Sequence, residues 1–174
     1  GCAEVWNCTT ALLTYDEGHS TLEMSADRQL RYIGTPSMQA PVKAVLEGIP
    51  VITDCRIYSL QRHQNCWTVV SEAGASYTGF DTVLLTMPPV QAQQLLVQSG
   101  LTGIFIAQYS LLLEPCWAVA VRAAATAQGD AIFCEHPKLR FVSHQATKTG
   151  RHSCYIMHFN ATFSRENLEQ PAEF

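Results

Sequence analysis

The residues that could carry out chemistry are six histidines and seven cysteines, and most of the histidines lie in the C-terminal half. Glu135, His136, His144, His152 and Cys154 offer the carboxylate, imidazole and thiolate ligands that zinc takes in proteins. Their spacings fit no known ligand pattern, so the sequence predicts no metal site. A Cys/His nucleophile pair is equally unspecific, because any of the thiols could serve.

The cysteines are odd in number, and no two of them have the C-x-x-C spacing. We therefore expect reduced, mostly buried thiols rather than a framework of disulfides. Thiols of this kind suit a reducing compartment, which favours a cytoplasmic protein.

His158 is the histidine with the most informative surroundings. In a strand predicted over residues 153–159, Cys154, Ile156 and His158 share one face because side chains alternate along a strand. Histidine is intermediate in its tendency to be buried, which favours a core histidine with a satisfied hydrogen bond. A residue that faces a ligand is the alternative.

Charge and motifs exclude several classes of protein. The formal net charge of -4 argues against nucleic acid or an anionic membrane as a partner. The best candidate for a membrane span, residues 111–125, is interrupted by Glu114, Pro115 and Arg122. The sequence contains no G-x-G-x-x-G, P-loop, H-E-x-x-H or G-x-S-x-G motif.

The central stretch, residues 80–100, combines three local signals. Residues 82–87 are a short apolar run typical of a buried strand. Pro88 and Pro89 end that run, because proline has no N–H for a sheet ladder. A helix is predicted next, and Gly100 stands where a helix C-terminus takes glycine. A plain structural connection is the simplest interpretation of this strand, proline turn and helix.

Apolar alternation and turn residues predict strands over much of the chain. The predicted strands are residues 3–6, 9–15, 30–33, 49–52, 55–61, 66–72, 75–78, 115–124, 131–135, 139–144 and 153–159. Helices are predicted at residues 38–47 with Ser37 as N-cap, at 101–109, and from Ser164 onward, whereas residues 16–28 are predicted to be a polar loop. This order indicates one α+β domain over residues 1–174, with a mostly antiparallel, mixed sheet of about six to eight strands and two or three helices.

An ordered series of segments resembles the substrate domain of the renalase family, which comprises FAD-dependent oxidoreductases of the amine-oxidase type. The segments, which together cover nearly the whole chain, are Tyr32-Ile33-Gly34-Thr35-Pro36-Ser37-Met38, Arg56-Ile57, Cys66-Trp67-Thr68-Val69, Phe80-Asp81-Thr82-Val83-Leu84-Leu85-Thr86-Met87-Pro88, Leu139-Arg140-Phe141-Val142-Ser143 and residues 156–168. No single segment is diagnostic, but their order is specific. The chain departs from the family at Phe163-Ser164, where many relatives have Trp-Ser.

The resemblance implies redox chemistry on FAD. Hydride passes from a dihydropyridine-type substrate, an aberrant isomer of reduced NAD(P), to the flavin, which oxygen then reoxidises with peroxide as product. An amine substrate is a weaker implication of the same fold. In that scheme this domain covers the flavin and excludes water. The resemblance implies cofactor contacts for Thr86, Met87, Pro88, Pro89 and Gln91, and substrate contacts for Trp117, His158 and Tyr32.

The resemblance also implies an FAD-binding domain, with its G-x-G-x-x-G turn, in the same parent protein but outside residues 1–174. The chain alone is then expected to bind no FAD and to be inactive. Its partners would be that domain and a small-molecule substrate. A second interpretation stays open, because the FAD fingerprint is missing: a free-standing α+β module that binds a ligand or a protein without redox activity.

Overall fold

The computed structural model describes residues 1–104, 109, 112–123, 127–148 and 154–168. The chain folds into two compact units: the first unit combines Gly1–Ile49 with Pro115–Phe174, and the second unit is Pro50–Glu114. Within the described residues, three α-helices and eleven strands in mixed, mostly antiparallel sheets confirm the predicted α+β class. The assignment of one domain to residues 1–174 stays a prediction.

In chain order, the elements are β1 (Ala3–Val5), β2 (Thr10–Asp16), β3 (His19–Met24), β4 (Tyr32–Gly34), α1 (Ala40–Val45), β5 (Ile57–His63), β6 (Cys66–Ser71), β7 (Ser76–Phe80), α2 (Pro89–Gln98), β8 (Ala118–Val121), β9 (Ala131–Glu135), β10 (Leu139–His144), β11 (Tyr155–Phe159) and α3 (Ala161–Glu166). The main sheet of the first unit has the strand order β3-β2-β9-β10-β11-β8. In the same unit, β1 pairs with β4. The sheet of the second unit consists of β5, β6 and β7. The pairing of β2 with β9 is parallel, and the other pairings are antiparallel.

Both faces of the main sheet carry apolar clusters. On one face the buried residues are Ala11, Ile132, Val142 and Tyr155. On the other face they are Trp6, Ile33 and Ala131, so the β1–β4 pair covers part of that face. Gly129 adopts φ +100°, and a Cβ there would lie 2.8 Å from the Cβ of Ala11. Glycine is therefore required where the chain enters β9 beside β2.

The predicted loop over residues 16–28 is wrong in its middle, because His19–Met24 forms β3. This strand pairs with β2 through Asp16↔His19 to Ala11↔Met24. Only Leu22 of β3 packs against an apolar cluster. An edge strand needs only one partner ladder, so its polar side chains can face water and hide the alternation that predicts strands.

Helix α1 is shorter than the predicted helix over residues 38–47, and Ser37 is not its N-cap. The cap position is Gln39, without a side-chain cap hydrogen bond. The backbone carbonyl of Ser37 accepts a hydrogen bond from Ala40 N–H at 2.9 Å. Pro41 lies in the first turn, where the missing N–H has no helical partner.

The second unit is a meander of the three strands predicted near residues 55–61, 66–72 and 75–78, with a helix packed on it. Strands β5 and β6 join through Gln64, which has φ +53°, and β6 and β7 pair in turn. Helix α2 packs against β5, and Ser99 Oγ accepts a hydrogen bond from Leu60 N–H at 2.8 Å. At the end of α2, Gly100 N–H bonds to the carbonyl of Val97 and Leu101 N–H to that of Leu96. This is a Schellman motif with Gly100 at φ +73°, which confirms the predicted C-terminus.

The predicted buried strand over residues 82–87 is wrong. No strand is assigned to these residues, and Leu84 is 82% exposed. The described sheet of this unit ends at β7, so the apolar run has no neighbouring strand to complete its backbone hydrogen bonds. Residues 49–52, also predicted as a strand, carry no strand assignment either.

Helix α3 begins at Ala161, before the predicted start. Its cap is Asn160, whose side-chain oxygen accepts a hydrogen bond from Phe163 N–H at 2.9 Å. Ser164, the predicted cap, lies inside the helix and is completely buried. Its Oγ accepts a hydrogen bond from Trp117 N–H at 3.0 Å, so it ties α3 to the segment that leads into β8.

Within the described residues, no helix combines the length and the apolar character needed to cross a membrane. Much of the helix predicted over 101–109 lies outside them.

Replacing Ser164 by alanine should lower the free energy of unfolding by about 1–3 kcal/mol, because the partly buried Trp117 N–H loses its acceptor. Urea unfolding followed by tryptophan fluorescence measures this loss. Ser20→Ala, at an exposed position of β3, is the matched control and should change stability by less than about 0.5 kcal/mol. Equal effects of the two substitutions would contradict the proposed tie.

Candidate functional site

A row of rings crosses one face of the main sheet in the first unit. Phe141 of β10 pairs directly with Phe133 of β9 on one side and with His158 of β11 on the other. Residues opposite each other in antiparallel strands point to the same face, so the three rings line up. Their centroids are 5.3 Å apart for Phe133–Phe141 and 6.0 Å apart for Phe141–His158. We call these three residues the aromatic row.

A positive charge lies at one end of the aromatic row. The guanidinium of Arg31 is 5.2 Å from the centre of the Phe133 ring, which is the geometry of a cation–π contact. Asp27 forms an ion pair with Arg31, and this hydrogen bond holds the pKa of Asp27 below its usual value. Arg31 also donates to the carbonyl of Gln29 at 3.1 Å. The guanidinium is thus held beside the row by contacts within its own segment.

The aromatic row is partly open to solvent. Phe133 is 39% exposed, and Phe141 and His158 are half-buried. Phe141 also packs against the Trp6 cluster, which lies on the same face of the sheet as the row. Ala118, the residue of β8 opposite His158, is exposed and small. This face therefore offers an apolar surface of mutually inclined rings, with an imidazole and a guanidinium at its ends, that could contact a planar ring through faces and edges.

The other two predicted substrate residues lie apart from His158. Trp117 precedes Ala118, so it falls on the opposite face of the sheet from His158. Its indole N–H donates to the carbonyl of Asn167 at 3.2 Å, which fixes it against the end of α3. Tyr32 is exposed on β4, beside Ile33, whose side chain turns inward. The structure thus does not bring Trp117 and His158 into one shared cavity.

Two of the five predicted cofactor residues line a cleft in the second unit. This cleft has a volume of about 590 Å³. It is lined by Cys55, Arg56, Ile57, Glu72, Met87, Gln91, Gln94, Leu95 and Gln98. Three of the lining residues are glutamines of α2, and we call it the glutamine cleft. Thr86, Pro88 and Pro89 are not among its lining residues.

The glutamine cleft does not fit FAD as the holder of its pyrophosphate. Pyrophosphate groups bind at the N-terminus of a helix through free backbone N–H groups. Helix α2 has Pro88 at its N-cap and Pro89 at its first position, so neither offers an N–H. Gly-rich backbone of the G-x-G-x-x-G type is also absent from the sequence.

The histidines named as metal ligands are used in other ways. Within the described residues, no group of three or more His, Cys, Asp or Glu side chains could hold a metal ion, and His152 lies outside those residues. His136 Nδ1 accepts hydrogen bonds from the N–H groups of Lys138 and Leu139 at 3.1 and 3.2 Å. His144 stacks on Tyr155 with ring centres 4.5 Å apart. These two rings stabilise a turn and the sheet.

All seven cysteines are free thiols. The expectation of mostly buried thiols is wrong, since Cys66 and Cys116 are exposed and the other five are half-buried. Burial nevertheless raises the pKa of Cys134 to about 11. Burial also raises the pKa of Cys8, against an opposing effect of Arg31. A thiol with a raised pKa is a poor nucleophile at neutral pH.

Sequence reasoning found His158 but missed Phe133, Phe141 and Arg31. The strands β9 and β10 were predicted with their observed bounds, and the short turn between them, residues 136–138, implies that they pair. Cross-strand alignment of that hairpin would have placed Phe133 opposite Phe141. No signal of this kind exists for Arg31, because its position depends on the fold of residues 25–34.

Compared with models of known protein families, the chain matches none.

Alkylation of Cys134 should remain slow at pH 8 and continue to accelerate until about pH 11, because burial disfavours its thiolate. Mass spectrometry after timed treatment with iodoacetamide resolves each cysteine. Exposed Cys66 serves as the internal control and should be modified much sooner at pH 8. Equal rates at the two sites would show that Cys134 is not shielded.

Proposed function

We propose that this chain provides the substrate-binding surface of a renalase-like FAD-dependent oxidoreductase. The observation that supports this most directly is the aromatic row, which includes His158, a residue that the resemblance implies in substrate binding. The row offers ring faces and edges over three neighbouring strands. We also propose a cytoplasmic location, since seven free thiols suit a reducing compartment.

The substrate class follows from the groups that the surface presents. The flat dihydropyridine ring of an isomeric reduced nicotinamide nucleotide would stack on the Phe133 ring and contact Phe141 at an angle, because the two rings are inclined by 50°. His158 would hydrogen-bond to the carboxamide of that ring, because an imidazole offers both a donor and an acceptor. Arg31 would pair with the nucleotide phosphate at the other end of the row. Trp117 and Tyr32 have no assigned contact with the ring in this arrangement.

The cofactor would be held outside this chain. FAD supplies the hydride acceptor when bound. A separate FAD-binding domain of the parent protein would hold its pyrophosphate, because the start of α2 does not fit that group. The role left to the chain is to bind and orient the substrate ring and to exclude water from it. The chain alone would then have no oxidase activity.

A second candidate function is a free-standing binding module without redox activity. The glutamine cleft favours it, because a cavity of about 590 Å³ is complete within the second unit. Cavities of roughly 300–1,000 Å³ are typical of small-molecule sites. The two candidates differ in the surface that binds: the aromatic row for the first, the cleft alone for the second.

Phe133→Ala should weaken binding of a reduced nicotinamide mononucleotide to the chain by about fivefold, because ring stacking contributes roughly 1 kcal/mol. The measurement is a titration followed by the NMR signals of the His158 ring. Tyr58→Ala removes an exposed ring from the second unit and should leave the affinity unchanged. Failure of the His158 signals to shift with the native chain would refute the proposed substrate surface.

The purified chain should carry no FAD and show no oxidase activity, because the start of α2 does not fit a pyrophosphate and the sequence lacks the G-x-G-x-x-G motif. Absorbance near the flavin bands, measured on freshly purified protein and again after incubation with FAD and gel filtration, tests this. Heat-treated protein controls for non-specific retention. Stoichiometric flavin absorbance in the native sample would overturn the assignment of FAD to another domain.

A further inference from the structure

We propose that the glutamine cleft binds a small carboxylate that carries peptide-type amide groups, of which a short peptide with a free C-terminus is the simplest example. This site lies in the second unit and is independent of the substrate surface proposed for the first. Three features of the cleft point to this ligand: an arginine with free donors, a line of free carboxamides, and an apolar floor.

Arg56 provides the group that would bind the carboxylate. Its Nε donates to one oxygen of Glu72 at 3.1 Å. Within the described part of the chain its two terminal amino groups have no partner, and its side chain is 82% exposed. The free edge of a guanidinium presents parallel N–H donors that match a carboxylate. The Arg56–Glu72 pair is exposed and therefore weak, so a ligand can share Arg56 with it.

Three glutamines provide the groups that would bind amides. Gln91, Gln94 and Gln98 follow one side of α2 at the spacing of helix turns, over a length of about 10 Å. None of the three side chains has a hydrogen-bond partner within the described residues. Each carboxamide offers both a donor and an acceptor, as a peptide unit does. By contrast, Gln93, which is not among the lining residues, donates to the carbonyl of Ile104 at 3.2 Å.

The floor of the cleft is apolar, and a thiol also lines the cleft. Leu95 is buried, and Ile57 and Met87 are half-buried beside it. These side chains would contact the carbon atoms of the ligand. Cys55 Sγ lies 3.6 Å from the hydroxyl of Tyr77, and the residue is half-buried, so its modification reports occupancy of the cleft.

A bare anion fits this site less well than an amide-bearing carboxylate. Glu72 places a negative charge beside Arg56, which opposes an anion held by charge alone. A ligand with N–H groups turns the same carboxylate into an acceptor, because the second oxygen of Glu72 is free within the described residues. The glutamines then bind the remaining amide groups. Carboxylate and amides together thus match both the charged and the neutral polar groups of the lining.

The experiment compares trialanine with a free C-terminus and trialanine amide, which lacks the carboxylate. Backbone NMR signals of α2 are followed during titration of the full chain. We expect the free acid to bind about tenfold more tightly than the amide. Arg56→Gln should abolish this preference, whereas Arg62→Gln, the same change at a residue of β5 that does not line the cleft, should preserve it.

Alkylation gives a second readout that does not depend on the NMR signals. Saturating trialanine should slow the reaction of Cys55 with iodoacetamide and leave that of exposed Cys66 unchanged. Absence of any α2 shift at millimolar trialanine, or binding that Arg56→Gln and the terminal amide leave intact, would overturn the proposal. Neither result bears on the aromatic row, so failure of the cleft proposal is distinguishable from failure of the proposed redox function.

Discussion

The first unit depends on the contact between Thr9 and Asp130, which joins two segments of chain separated by more than one hundred residues. One carboxylate oxygen of Asp130 accepts hydrogen bonds from Thr9 N–H at 2.9 Å and from Thr9 Oγ1 at 2.7 Å. The carbonyl of Thr9 in turn accepts from the N–H groups of Asp130 and Ala131. These bonds start the parallel pairing of β2 with β9, without which the main sheet would divide in two. Gly129 allows the close approach by placing no Cβ against Ala11.

The same aspartate reaches the next strand and fixes the register there. The carbonyl of Asp130 accepts a hydrogen bond from His144 N–H at 2.7 Å, and its second carboxylate oxygen lies 3.5 Å from Nδ1 of that ring. The ring of His144 stacks on Tyr155 of β11. Register across β9, β10 and β11 is therefore set at one end of the strands, and the aromatic row of Phe133, Phe141 and His158 follows from it. The second unit needs no such contact, because its meander and helix are continuous in sequence.

Elements whose signals are local could be read from the sequence. The bounds of β9 and β10, the meander of β5 to β7, and the end of α2 at Gly100 all follow from alternation and turn residues over a few positions. Where two nearby residues could each cap a helix, the prediction chose the wrong one. Ser37 and Ser164 are both suitable caps by type, but Gln39 and Asn160 occupy the cap positions, and Ser164 instead bonds to Trp117 N–H from inside α3. An apolar run such as 82–87 becomes a strand only where a neighbouring strand is present to bond it.

The sequence by itself determined the α+β class and the order of most strands, and the family resemblance named one residue of the aromatic row, His158. Only the tertiary structure decided that Phe133 and Phe141 lie beside it, that Trp117 faces the other way, and that the α2 glutamines line a cleft with Arg56. The physical reason is that strand alternation is a property of neighbours in the chain. The choice of partner strand, by contrast, rests on contacts such as Thr9–Asp130, which no local pattern encodes.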